Sequence, residues 1–204
     1  MDLLYAIIPP TRTRLTASRH YEHPPRFQLL HYLYGHPSLQ GGESYFVDAY
    51  KAADDLFAAD VEAWRTLVET PVAFEYRNGG HWRHAERPTI QLNATGYEAI
   101  NYSPPFQAPL LLDSSAGITR LHASLSAFAE RVESPALRYT VQLQPGDVAC
   151  FDNQRVLHAR TAFAWDDDAV KSSGAPARHL KGCYVEGDSV RDRLRGLLRV
   201  MNLA

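Results

Sequence analysis

Two cysteines in 204 residues leave this chain without a disulfide framework. Cys150 and Cys183 both fall in strand-like segments, where buried free thiols are the default, and a reducing, cytoplasmic setting fits. No apolar run approaches the ~20 residues that a membrane-spanning helix needs. The stretch Leu3-Leu4-Tyr5-Ala6-Ile7-Ile8 is short and lacks a basic flank, so it does not read as a secretory signal. Arg12, Arg14 and Arg19 among Ser and Thr give only a faint likeness to a mitochondrial transit peptide. Charge of one sign is missing too. Lys and Arg total 21 against 23 Asp and Glu, a net of -2, which gives no reason to expect nucleic acid or an acidic membrane as partner. There is no Gly-x-Ser-x-Gly elbow, no Cys-x-x-Cys pair and no phosphate loop, so hydrolase, zinc and nucleotide readings lack support. No repeat or low-complexity segment is present.

What is present suits one globular domain, with 45% hydrophobic and 22% charged residues. Apolar and aromatic residues over 26–34 predict a strand, Gly41-Gly42 a turn, and 44–47 a second strand, together suggesting a hairpin with a longer loop. Asp48 predicts a helix cap over 49–57 and Asp60 another over 61–69. Strands follow over 72–76 and 89–93, then a turn at Ala94-Thr95-Gly96 into 97–102. Leu121, Leu125, Phe128 and Val132 at helical spacing predict a long helix over 116–132 with one core-facing stripe. Three strands (138–143, 148–151 and 155–161) are separated by Pro145-Gly146-Asp147 and Asp152-Asn153. Residues 165–177, rich in Asp, Ser, Gly and Pro, read as a mobile surface loop. A strand over 178–185 and a helix over 189–200 follow. His81-Trp82-Arg83-His84 reads as an exposed loop. Many short strands with turn signals argue for a mainly β fold, a sandwich or jelly roll with helical decoration.

The run Phe151-Asp152-Asn153-Gln154-Arg155-Val156-Leu157-His158-Ala159-Arg160 carries the most information. It puts a histidine on a strand just past a tight turn, and residues two apart on a strand share a face, so His158 and Arg160 point the same way. By the same rule Arg178 and Tyr184 share a face of the strand Arg178-His179-Leu180-Lys181-Gly182-Cys183-Tyr184. A histidine beside an inward arginine suits a metal site with an anionic co-substrate, but one histidine does not hold a metal.

These two segments occur in order with Gln28-Leu29-Leu30-His31, Gly41-Gly42-Glu43-Ser44-Tyr45-Phe46-Val47-Asp48 and Pro145-Gly146-Asp147. Together they resemble the γ-butyrobetaine and trimethyllysine hydroxylases, within the wider taurine-dioxygenase-like group. The resemblance implies a double-stranded β-helix (jelly roll) over 21–204, incomplete at its N-terminal side, behind a non-matching segment 1–20. It implies Fe(II) and 2-oxoglutarate as cofactors and oxidation or hydroxylation of a small organic substrate. A 2-His-1-carboxylate triad leaves open positions on iron for 2-oxoglutarate and oxygen. By resemblance His158 is the distal histidine ligand, and Arg178 binds the far carboxylate of 2-oxoglutarate with a planar fork. Ser44 supplies a hydroxyl near that carboxylate. Tyr184 is an aromatic that helps cage a substrate cation, and Asn101 lies in a segment that lines the active site.

The departure lies at the other two ligands. Aligning Tyr21-Glu22-His23-Pro24-Pro25 with the family's Tyr-x-x-Pro-Pro-like segment puts Leu15 and Ala17 where the family has His-x-Asp. Neither side chain binds iron. His20-Tyr21-Glu22 offers the right ligand types five residues late. Three readings stay open. The chain is an active dioxygenase using His20 and Glu22, or a ligand from a partner chain. It is a non-catalytic relative that binds or scaffolds, as a homodimer or as a heterodimer with an active paralogue. Or it is an incomplete form of an active enzyme. The residues as they stand predict weak or no turnover.

Overall fold

The computed structural model describes residues 23–110 and 114–201. Leu15, Ala17, His20 and Glu22 lie outside them. Along the chain the strands and helices are β1 (Phe27–Gly35), β2 (Gln40–Gly41), β3 (Ser44–Asp48), α1 (Ala49–Ala59), α2 (Val61–Glu69), β4 (Pro71–Asn78), β5 (His81–Pro88), β6 (Ile90–Asn93), β7 (Gly96–Ile100), α3 (Ser115–Val132), β8 (Arg138–Val141), β9 (Val148–Asp152), β10 (Val156–Arg160), β11 (Phe163–Ala164), α4 (Asp167–Ser173), β12 (Arg178–Val185) and α5 (Gly187–Val200).

Two three-stranded antiparallel sheets form the centre. One runs β12-β1-β9 and the other β10-β3-β8. The chain passes from the first sheet to the second between β1 and β3, back between β8 and β9, and again between β9 and β10. This shuttling is the pattern of the jelly roll. The expected hairpin of 26–34 with 44–47 does not form, because these strands belong to opposite sheets and each takes partners more than 90 residues away in sequence. Three two-stranded ribbons, β4-β5, β6-β7 and β11-β2, complete the pairing.

Capping fixes the helices where the sequence places them. Asp48 accepts from the Tyr50 amide, Asp60 from Ala63, and Ser114 from Gly117. The apolar stripe of α3 meets α1 and α2, which cover one face of the second sheet. Tyr45 and Val47 of β3 and Leu157 and Ala159 of β10 share that face. They form a single cluster with Ala52, Leu56, Leu67, Phe74, Ile90, Leu121, Phe128 and Val132. The hydrophobic core therefore lies between sheet and helices, leaving the space between the two sheets for polar groups.

Three local expectations are corrected. Residues 81–84 form the start of β5, an exposed strand whose Trp82 is held by Arg77 across the ribbon, with the guanidinium 4.3 Å from the ring centroid. The segment 165–177 contains α4, capped by Asp166 at its start and by Gly174, at φ 66°, at its end. Cys150 and Cys183 are exposed, not buried. Both pair with Leu29, and strand alternation puts them on the outer face of the first sheet. Among the described residues no helix is long and apolar enough to cross a membrane.

This layout assigns stability to the helical side. Phe128 is fully buried and packs edge-on to Tyr102 with ring centroids 5.5 Å apart, so Phe128→Ala is expected to cost about 3–5 kcal/mol in urea unfolding. Phe57 is half-exposed, so Phe57→Ala is expected to cost about 1 kcal/mol or less. Equal losses at the two positions would contradict the placement of the core.

Candidate functional site

The turn from β9 to β10 sets the position of His158. Asp152 accepts a hydrogen bond from its own turn, the Gln154 amide at 2.9 Å, and is held by Arg26 at 2.8 Å. Asn153, fully buried, donates its amide to the Arg26 carbonyl at 2.6 Å. Arg155 forks onto Asp48, with Nε at 3.1 Å and 3.2 Å from the two carboxylate oxygens. Burial alone would raise the Asp48 carboxyl, but Arg155 and two backbone amides outweigh it and hold it below its ordinary value. The Ala49 amide donates to the Arg155 carbonyl and the Ile100 amide to the Gln154 carbonyl. Thus most of the Asp152–Arg155 motif is corner-building, tying β1, β3, β7 and α1 to the point where the chain changes sheet.

Beyond the corner, β10 alternates. Leu157 and Ala159 face the helices, so His158 and Arg160 face the inter-sheet space. Their cross-strand neighbours on β3 are Phe46 and Ser44. From the opposite sheet Phe151 reaches across, its ring centroid 5.3 Å from Phe46 and 5.0 Å from His158. His158 keeps a partly open surface, yet its Nδ1 is sealed with no hydrogen-bond partner. The enclosure decides its protonation: burial pushes the imidazole down to about 4. A neutral imidazole is the form that ligates metal.

Arg178 enters the same space from the start of β12. Its guanidinium lies 5.6 Å from the Tyr32 ring centroid, and its Nε is buried with no hydrogen-bond partner. Burial draws it below its ordinary value, with Tyr32 pulling the other way. Ser44 is buried at the same end. His158, Arg160, Ser44 and Arg178 are therefore brought together, as strand alternation predicts. Tyr184 shares the inward face of β12 but is half-exposed, two strands across from Phe151 in the same row. Asn101 is displaced from the group. It is buried at the corner, donates to the Pro88 carbonyl at 2.8 Å and to Gln91 at 3.2 Å, and borders a cleft of about 340 Å³ among Arg26, Arg87, Glu98 and Arg191. Neither His158, Ser44 nor Arg178 lines that cleft. Phe46, Phe151 and Tyr32 were not singled out from sequence. Period-two spacing from Ser44 and Gln28 is the signal that marks Phe46 and Tyr32.

The Taurine catabolism dioxygenase TauD, TfdA family model matches residues 15–184. The chain belongs to this family. Dioxygenase str8 of Strobilurus tenacellus is 45% identical over 199 residues, 97% of the chain and 42% of that protein. The gamma-butyrobetaine dioxygenase of Pseudomonas sp. (strain AK-1) is 32% identical over 176 residues, 86% of the chain and 43% of that protein. The chain thus spans about two fifths of the length of the curated relatives it matches. Among solved structures, an asparagine oxygenase in complex with Fe(II), 2S,3S-3-hydroxyasparagine and succinate aligns with TM-score 0.66 at 18% identity, covering 87% of the chain and 50% of that protein. A taurine dioxygenase from Burkholderia xenovorans aligns with TM-score 0.61 at 18% identity, covering 91% and 62%. These likenesses establish the TauD/TfdA double-stranded β-helix.

The two groups such a fold implies fare differently here. The sealed, unpartnered Nε of Arg178 and the buried Ser44 fit a carboxylate. Among the described residues, no group of three or more His, Cys, Asp or Glu side chains is placed to hold a metal. His158 has aromatic neighbours instead, so the described residues do not by themselves make an iron site.

The buried imidazole has a consequence for stability. The unfolded chain takes up a proton at this histidine below about 6.5, whereas the folded one stays neutral to about 4. The contribution is therefore fully present above 6.5 and lost as pH falls to 4, by at most about 3 kcal/mol. His158→Asn is expected to flatten the pH dependence of unfolding free energy in that window for metal-free protein. An unchanged slope would place the imidazole in water.

Proposed function

We propose that this chain binds 2-oxoglutarate through the carboxylate end of a TauD/TfdA site whose iron end is short of ligands, so that oxidation of a small organic substrate is weak or absent. The observation that carries this reading is Arg178. A desolvated guanidinium with an unsatisfied Nε is costly, and a carboxylate supplies the missing acceptor and the opposite charge. The replacement of the expected ligand positions by Leu15 and Ala17 supports the second half. Bound Fe(II) would supply oxidising chemistry, with His158 as the one ligand placed for it among the described residues. Tyr184 offers one aromatic face to a substrate, whereas a quaternary ammonium cage is built from several. The likeness to γ-butyrobetaine and trimethyllysine enzymes therefore supports a small organic substrate in general, not a cation in particular.

A non-catalytic subunit is a second reading, favoured by α5. Val190, Leu194, Leu197 and Met201 recur at helical spacing and are all exposed. Such a stripe is expected to seat against a second chain. A single monomer mass by light scattering at high concentration would count against it.

Calorimetry tests the main reading. Metal-free protein is expected to bind 2-oxoglutarate and glutarate alike, because the affinity resides in the distal carboxylate. Arg178→Met is expected to weaken both by more than about tenfold, the scale of one charge-assisted bidentate contact. Leu15→His with Ala17→Asp is expected to let Mn(II) strengthen the binding of 2-oxoglutarate but not that of glutarate. Absence of binding to the unaltered chain would overturn the co-substrate reading, and strong enhancement by Mn(II) without those substitutions would overturn the short-of-ligands reading.

A further inference from the structure

Helix α5 is poorly supported by its own fold. It runs for 14 residues and none of them is buried. A helix of that length is marginal in water, because nucleation is costly and the packing of an apolar face supplies most of its stability. That face is present. Val190, Leu194 and Leu197, continued by Met201 at the C-cap, form one stripe, and all four are exposed.

The rim of the stripe is basic. At roughly 100° per residue, Arg191 and Arg193 flank it on opposite sides. Over the whole helix four arginines stand against Asp188 and Asp192. Among the described residues only Arg191 of the four is ion-paired, to Asp188 at 3.2 Å. This pattern disfavours two α5 helices pairing with each other. In such a pair rim faces rim, and Arg191 and Arg193 would meet only Leu198, Val200 or one another. The counter-charge has to come from a different surface.

The elbow between α1 and α2 supplies one. Phe57 and Val61 are exposed there, and Phe57 meets Trp64 edge-on with ring centroids 5.1 Å apart. Asp54, Asp55, Asp60 and Glu62 stand around them, against Lys51 and Arg65. Other exposed aromatic side chains have basic company instead: Trp82 lies against Arg77, and Tyr139 follows Arg138. The elbow is also preformed. The Asp60 amide donates to the Leu56 carbonyl at 2.7 Å, and its carboxylate accepts from the Ala63 amide at 2.9 Å. Little ordering is therefore required when a helix lands on it.

We propose that α5 of one copy of this chain docks its Val190–Leu194–Leu197 stripe on the Phe57–Val61 elbow of a second copy, with Arg191 and Arg193 facing the elbow's carboxylates. This rests on the reading that the α5 stripe seats against a second chain, and it names the surface that receives it. The contact joins two different patches, so each protomer both gives an α5 and offers an elbow.

Sedimentation velocity of the full chain over a concentration series tests this, with circular dichroism melts as a check on folding. The unaltered chain is expected to associate, more weakly as salt rises, because the two rims carry opposite charge. Leu194→Glu in α5 and Phe57→Arg in the elbow are each expected to weaken association by about tenfold or more. Both side chains are exposed, so neither substitution disturbs the core. Glu62→Lys, at a side chain 71% exposed, is expected to weaken it several-fold. Because the patches differ, an equimolar mixture of the Leu194→Glu and Phe57→Arg chains is expected to form a mixed dimer, one chain bringing an intact elbow and the other an intact α5. If Leu194→Glu disrupts association while Phe57→Arg and Glu62→Lys do not, or if the mixture forms no complex, α5 docks elsewhere: the proposal is overturned and the second-chain reading stands. Association that tightens with salt also overturns the charge match. A chain that stays monomeric at every concentration fails the underlying reading first.

Discussion

The corner between β9 and β10 is the constraint on which the rest depends. Two sheets can face each other only if the chain is carried between them at a fixed angle. Here that angle is set by Asp152 held to Arg26, Arg155 forked onto Asp48, and buried Asn153 donating its amide to the strand entering β1. Asp48 also caps α1, so one carboxylate joins the corner to the helical layer. Both ion pairs are partly exposed, and such pairs contribute modestly to stability by themselves. Their role is registration. A one-residue slip at the corner would turn His158 and Arg160 toward the helices and Leu157 and Ala159 into the inter-sheet space.

The two faces of the β10-β3-β8 sheet divide the work. The face toward α1, α2 and α3 is closed with Leu, Val, Ala and Phe and holds the fold together. The face toward the other sheet carries Ser44, Phe46, His158 and Arg160, to which the opposite sheet adds Phe151, Arg178 and Tyr32. This interior is not packed for stability: it holds an imidazole kept neutral by burial and a sealed guanidinium nitrogen. Such groups cost folding free energy, which the helical side offsets.

What could be read in advance followed the range of each interaction. α2 was legible to the residue because Asp60 caps it and its apolar spacing is local. The inward set His158, Arg160 and Arg178 was legible because strand alternation needs only neighbours. Which strands pair was not, since β1 takes partners more than 100 residues away and composition cannot choose among them. α4 hid behind loop-forming residues, although Asp166 and Gly174 are its cap signals. The exposure of Cys150 was implicit in its neighbour: with Phe151 turned inward to His158, the preceding residue must face out.

The proposed 2-oxoglutarate site lies at the carboxylate end of the family fold, while the iron end rests on one histidine among the described residues. Anaerobic addition of Fe(II) and 2-oxoglutarate to the purified chain separates these directly, because an assembled iron–2-oxoglutarate centre has a visible metal-to-ligand charge-transfer band. The account predicts no band, with 2-oxoglutarate binding still measurable by calorimetry. A clear band, lost in His158→Ala and in His20→Ala or Glu22→Ala, would contradict it.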